Sequence, residues 1–190
     1  MSDANPAQVR FTTIQDDDDI QQVLALQRAN LSSQVSAEVA VSQGFVTVQH
    51  DHELLKKMNE AIPQVIAKNG DQVVGYALVM LPSFQDLIPV LKPMFLLFDK
   101  IVYLGRNIAS YRYYVMGQVC VAEGHRGAGI FDGMYAQHRE LYRPQFDFVV
   151  TEIASRNTRS IRAHQRVGFE TIHRFQDATD HWEVVLWDWS

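Results

Sequence analysis

Residues 119–135, VCVAEGHRGAGIFDGMY, begin as an apolar run suited to a strand, cross Gly124, Gly127 and Gly129, and resume with apolar spacing suited to a helix. A strand that feeds a helix through so bare a backbone leaves the first helical amides unpaired and pointing outward, and the missing β-carbons let a phosphate come close. Two familiar phosphate folds fail against it. No Gly-Lys-Ser/Thr sequence follows, which excludes a P-loop, and the three glycines of a dinucleotide fingerprint are absent at their spacing. Taken alone, the cluster also reads as an ordinary tight turn.

The rest of the chain frames that junction with alternating strand and helix patterns. Residues 10–14 read as a strand, and Asp16 to Leu31 as a helix opened by the run Asp16 to Asp19, whose charges suit the positive end of the helix dipole in solvent and assign no metal. Residues 34–62 look largely helical, with a break at Gly44; His50 and His52 flank a solvated helix start, and helical spacing points them to different sides. Asn69 and Gly70 predict a tight β-hairpin between two alternating runs. Residues 81–112, apolar and cut by Pro82, Pro89 and Pro93, read as an insertion holding one helix and its lead-in. Then come a strand over 111–121, a helix over 130–142 with His138 as a packing residue, a strand over 146–154, a helix over 158–167 capped by Asn157, and two closing strands in which Trp182, Trp187 and Trp189 pack the sheet. The order implies one α/β domain over 1–190 around a mixed sheet.

Composition narrows the partners. A net charge of −5 argues against nucleic acid, which needs clustered Lys and Arg. Cys120 is the only cysteine, so an intrachain disulfide or thiolate cluster is excluded and a reducing compartment, the cytoplasm, is expected. The N-terminal residues carry no apolar signal core, and VLKPMFLLF is too short and interrupted to cross a bilayer.

A second motif follows the next strand at once: NTRSIRAHQRVGF, residues 157–169. With RGAGIF at 126–131 it resembles the GNAT superfamily of acetyl-CoA-dependent N-acyltransferases, which carries a Q/R-x-x-G-x-G/A loop after its fourth strand and N-x-x-A-x-x-x-Y-x-x-x-G-F after its fifth. Asn157, Ser160, His164, Gly168 and Phe169 fall in register, and the resemblance spans nearly the whole chain. Three residues depart from the pattern: Phe131 stands where Gly or Ala is usual, Ser160 replaces Ala, and His164 replaces the commonest Tyr. Phe131 must turn its ring away from the phosphates or forfeit an amide contact.

The resemblance implies a GNAT-like fold, a mixed sheet flanked by helices with its fourth and fifth strands splayed. It implies acetyl-CoA as acyl donor and no metal. The amides of Arg126, Gly127, Ala128, Gly129, Ile130 and Phe131 would cradle the diphosphate, Val119, Cys120 and Val121 would pair with the pantetheine arm like an added strand, and Asn157 and Ser160 belong to the same cofactor site. An amide near Val121 would polarise the acyl carbonyl, and Arg126 would add a charged phosphate contact unless it is a solvated turn residue. The reaction implied is direct attack by a primary amine of a small molecule or peptide. His164 is the candidate general acid, against a reading in which it packs or caps within its helix. Glu123 and Glu152 are the candidate bases, each acting through water. Cys120 reads as a small core residue rather than a nucleophile. The apolar 81–112 segment would line an acceptor pocket or bury itself against a second subunit as a homodimer. The alternative function is an acyl-CoA-binding or sensing protein without turnover.

Overall fold

In the computed structural model, which describes residues 9–31 and 49–190, β1 (Arg10–Thr13) leads through Asp16 into α1 (Asp17–Ala29). The Asp16 carboxylate caps this helix by accepting the Asp19 N–H at 2.9 Å. Asp19 departs from the expectation of a solvated acidic run. It is 1% exposed, and its carboxylate accepts the Gln15 N–H at 3.0 Å and Lys68 Nζ at 2.6 Å. A neighbouring strand supplies the cation, which the local sequence does not reveal.

Residues 32–48, which include the Gly44 break, lie outside the described residues. Beyond them α2 (His52–Ala61) is capped by Asp51, whose side chain accepts the Leu54 N–H at 2.8 Å. His52 sits at this helix start beside Asp17, at 2.5 Å. His50 is a second correction: it is buried, not solvated, and Gln27 of α1 holds it at both its backbone N–H and its Nδ1.

The Asn69–Gly70 turn joins β2 (Val65–Asn69) to β3 (Gln72–Met80), with Gly70 at φ 60° and Asn69 opposite Gln72. The segment after β3 holds two 3-10 turns, the short helix α3 (Lys92–Phe98) and a ribbon of β4 (Val102–Tyr103) and β5 (Arg106–Asn107). The expected helix is therefore brief, and the ribbon is additional. Met94, Phe95 and Phe98 drive α3 into the core, while Leu87, Leu96, Val102 and Leu104 are exposed. The chain then runs through β6 (Tyr113–Val121), α4 (Ile130–Tyr142), β7 (Phe148–Ala154), α5 (Thr158–Val167), β8 (Glu170–Gln176) and β9 (His181–Asp188).

The main sheet has the order β1-β2-β3-β6-β7-β9-β8, with β6 and β7 parallel and the other neighbours antiparallel. This is the mixed α/β sheet that the sequence implies. One face is buried under α1, α2 and α3 through residues such as Val23, Leu55 and Phe98; the other is buried under α4 and α5 through Met134, Tyr135 and Ile161. His138 packs as expected, fully buried, its Nε2 donating to the Ala77 carbonyl and its Nδ1 accepting from the Tyr114 hydroxyl, each at 3.0 Å. Among the described residues no helix is long and apolar enough to cross a membrane.

Candidate active site

β6 and β7 pair over only three rungs, Tyr113 with Phe148, Tyr114 with Val149 and Val115 with Val150, although each continues for several residues. Beyond Val115 the strands diverge. β6 stays with β3 but skips Gly117, since Leu78 faces Gln118 while Val79 faces Met116, and a bulge of this kind bends a strand and raises its twist. The Thr151 hydroxyl donates to the Met116 carbonyl at 2.9 Å at the root of the fork. The result is a splayed pair with one edge of β6 unpaired toward β7, as the sequence resemblance implies for the fourth and fifth strands.

A cleft of about 500 Å³ opens at this fork. Val119, Cys120 and Val121 form one wall, Gly127, Gly129, Ile130 and Phe131 a second, and Asn157 and Ser160 stand on a third. Ala128 alone of the expected cradle residues is not on the cleft surface. Side chains cap α1, α2 and α5, the last through Asn157, whose Oδ1 accepts the Ser160 N–H at 3.2 Å. At α4 the cap position is Gly129, at φ 76°, with no side-chain hydrogen bond. The first amides of α4 are thus left for whatever enters the cleft, where the helix dipole favours an anion.

Phe131 resolves its own departure from the motif. Its ring turns onto Tyr135 and His164, with centroids at 4.8 and 5.1 Å, and the residue lines the cleft. Arg126 reaches the cleft, but its Nε donates to the Val121 carbonyl at 3.0 Å and its Nη2 to Asn30 Oδ1 at 2.7 Å, tying the loop to the end of α1. Arg159, Arg162 and Arg166 add positive charge along α5 on the cleft wall, and Arg166 is forked onto Asp132. The sequence reading missed these three, although their i, i+3, i+7 spacing on one helix face was visible.

The three candidate catalysts land in unlike places. His164 is 2% exposed and off the cleft surface; its Nδ1 donates to the Ser160 carbonyl at 2.8 Å and its Nε2 accepts from the Tyr135 hydroxyl at 2.7 Å. Burial lowers its pKa to about 4, so it is neutral with both nitrogens occupied, and this geometry does not support a general acid. Glu123 is exposed in a 3-10 turn outside the cleft. Glu152 stands two residues beyond the last β6–β7 rung, and burial, with a lesser push from Asp177, raises its pKa to about 7. Like the other two it is not on the cleft surface, and its Oε1 is buried without a hydrogen-bond partner.

Cys120 lines the cleft floor, and burial raises its thiol to about 11, which keeps it neutral and unreactive near pH 7. Behind it lies a buried polar group that sequence reasoning did not find. Gln118 Oε1 accepts from the Tyr76 hydroxyl and from Gln27 Nε2, each at 2.7 Å, and Gln27 Nε2 also donates to His50 Nδ1 at 2.8 Å. Glutamines carry no local signal of burial. No group of residues able to hold a metal ion occurs among the described residues.

No protein-family model matches the sequence, and no curated protein matches it. Solved structures do match. NAA60 of Arabidopsis thaliana, in complex with acetyl-CoA, is 13% identical, with a TM-score of 0.64 over 95% of this chain and 99% of that one. An acetyltransferase of the GNAT family from Streptococcus agalactiae is 10% identical, with a TM-score of 0.64 over 96% of each chain. The ribosomal-protein-S18-alanine N-acetyltransferase of Escherichia coli is 7% identical, with a TM-score of 0.63 over 96% of this chain and 95% of that one. At such identities the likeness is one of fold, and the fold is that of the GNAT acetyltransferases.

Proposed function

We propose that this chain, which has the GNAT fold, is an N-acetyltransferase that moves the acetyl group of acetyl-CoA to a primary amine. The observation that carries the reading is a glycine-capped, otherwise uncapped helix start opening onto a cleft at the splayed strands. The site fits an acyl-CoA chemically. Helix-start amides around Gly129 to Phe131 and the Arg159 and Arg162 guanidiniums would take the phosphates, with Asn157 and Ser160 alongside. The unpaired edge of Val119 to Val121 would take the pantetheine amides. Acetyl-CoA supplies an activated thioester there.

The residues of the chain supply the remaining chemistry. A free amine near pH 7 requires loss of an ammonium proton, and a carboxylate held at about 7 is well matched to accept one, directly or through water. The amide near Val121 would face the oxygen that gains charge as the amine adds. A thiol has a reference pKa of about 8.5, so departure as thiolate needs no buried acid, and His164 is not required. Glu123 keeps at most a surface role.

A non-catalytic acyl-CoA sensor is the rival reading. It drew support from Phe131 and from the lack of an obvious base; the turned ring and Glu152 weigh against it. The exposed apolar side chains of the 81–112 segment favour a subunit contact for that segment over an acceptor pocket. Both catalytic and sensing readings expect CoA to raise the melting temperature. Release of free thiol from acetyl-CoA across an amine panel separates them, and no stabilisation by CoA would refute both.

A further inference from the structure

A second cavity, of about 680 Å³, opens between α4 and the end of α5. Asp132 and Arg166 line both this cavity and the cleft, so their ion pair is a partition that the two share. One wall is a stripe along α4, in which Asp132, Ala136, Arg139 or Glu140, and Arg143 recur at helical spacing on one face. Ala136 is the short side chain of that stripe and leaves room above it. The floor is Trp187 of β9. Gly168 closes α5 at φ 119°, and a β-carbon in its place would lie 2.5 Å from the indole nitrogen, so the helix ends directly on the ring. Tyr135, Phe169 and Trp189 hold the same ring from other sides, with centroids at 6.2, 5.8 and 5.5 Å. Trp187 is therefore a fixed aromatic surface, and the Arg139 guanidinium lies over it at 5.7 Å from the ring centroid.

Three guanidiniums meet two carboxylates in this cavity. Arg166 is engaged by Asp132, donating through Nε at 3.0 Å and Nη2 at 2.6 Å. Among the described residues neither Arg139 nor Arg143 forms an ion pair, and Glu140, the remaining carboxylate, is exposed and pairs with neither. The helix dipole favours cations at this end of α4, but it does not require them to border a rigid aromatic floor. Val167 and Pro144 complete an apolar rim beside the two cations. The complement of such a surface is a molecule with an anionic head and an apolar body.

We propose that this cavity is a second ligand site, for a small organic anion with an aromatic body, and that its occupation opposes anion binding in the cleft. The carboxylate accepts charge-assisted hydrogen bonds from Arg139 and Arg143, whose planar forks suit it, and the aromatic body lies on Trp187 between Val167 and Pro144. The opposition comes from the shared ion pair. Asp132 stands in the first turn of α4, the turn whose amides face the cleft, and Arg166 neutralises it there. An anion in the second cavity draws on the Arg166 charge and leaves Asp132 less compensated beside an anion at the helix start. Linkage makes the effect mutual, each anion weakening the other by one factor. Both partners are partly exposed, Arg166 by 58% and Asp132 by 42%, so that factor is small, about two- to fivefold. The site itself does not depend on the acetyltransferase reading; the opposition rests on its cofactor.

The test is calorimetry on the full chain with three probes: phenylacetate carries both charge and ring, phenylacetamide keeps the ring without the charge, and acetate keeps the charge alone. Phenylacetate should bind about tenfold or more tightly than either of the others. That advantage should disappear in the double variant Arg139→Gln, Arg143→Gln, whose native side chains are exposed and lie outside the cleft, while its CoA affinity stays native. Equal binding of acid and amide, or an advantage that survives the double variant, overturns the site. Should the double variant fail to fold, the three probes on the native protein and on Arg143→Gln alone decide the matter. On the protein saturated with CoA, phenylacetate should still bind, about two- to fivefold more weakly, and further CoA should not extend the loss. A loss that grows with every addition of CoA places the probe in the cleft and overturns the site; an unchanged affinity overturns the opposition. If CoA itself does not bind, the acetyltransferase reading fails, and the probes on the protein alone still decide whether the second site exists.

Discussion

Glu152 gives the most direct test of mechanism, because burial moves its titration into the working range. With a pKa of about 7, the ionised fraction rises from about one in eleven at pH 6 to about ten in eleven at pH 8. A base of that pKa therefore gives about a tenfold rise in kcat/KM between those values, lost again as pH falls through about 7. A carboxyl near its ordinary 4.5 would be almost wholly ionised across the range and give no rise. The acceptor amine also titrates, so each rate is divided by the free-amine fraction before comparison. Glu152→Gln should lower the rate by about 10²–10⁴ and remove the bend. Stability should move the other way. The folded-state pKa lies above the unfolded one, so the protein is destabilised wherever the carboxylate is charged, by up to about 3 kcal/mol at pH 8, and this cost disappears as pH falls toward about 5. The Gln variant should consequently melt higher than the native protein at pH 8 and lose that advantage near pH 5. A flat corrected profile, or a Gln variant with native turnover, would refute the assignment of Glu152 as base.

Three buried neutral histidines should make the fold acid-sensitive: His50, His138 and His164 are lowered by burial to about 4, 3 and 4, below the unfolded value of about 6.5. Because the unfolded chain binds the protons first, each should cost about 2 kcal/mol on going from pH 7.5 to pH 5, partly offset by Glu152, and a urea midpoint unchanged over that range would contradict it. Gly129→Val forces a branched residue to φ 76° in a position where its Cβ meets nothing within 4 Å, so the effect is backbone strain at the helix start. CoA affinity by calorimetry should fall tenfold or more, and native affinity would remove the cradle from the binding site. His164→Phe should lower stability by about 1–3 kcal/mol through the abandoned Tyr135 hydroxyl while leaving turnover within a few-fold. A collapse of kcat with an undisturbed melting temperature would restore His164 as the acid.

What the sequence made legible was local chemistry. Asn157 and Gly168 mark the two ends of α5, since one side chain caps the start and a left-handed residue closes the end, and both signals lie within the helix itself. The Asn69–Gly70 hairpin is readable for the same reason. Asp19 and His50 were not, because their partners Lys68 and Gln27 stand 49 and 23 residues away. The fork was visible only through resemblance: nothing in the periodicity of VVTEIA says that pairing stops at Val150. Glu152 stood out as an acid in an apolar strand, but its raised pKa and idle oxygen depend on its burial in the folded sheet.

The contrast between His138 and His164 gives the motif position a packing explanation. Each is buried between a tyrosine hydroxyl and a backbone carbonyl, His138 between Tyr114 and Ala77, His164 between Tyr135 and Ser160. In both, one nitrogen must be the donor and the other the acceptor, which fixes a neutral tautomer and satisfies a tyrosine that desolvation would otherwise penalise. The two rings flank Tyr135 in one aromatic layer, with centroids at 6.0 and 5.3 Å. Since His138 carries the same arrangement far from any motif, packing is a sufficient cause for His164 too. A proton donor would also need a free N–H toward the cleft, and the Phe131 ring stands edge-on to His164 on that side. On the proposed reading, a proton acceptor would have to be sought elsewhere, and Glu152, on the opposite face of the sheet with a buried oxygen to spare, is the candidate that the pH profile tests.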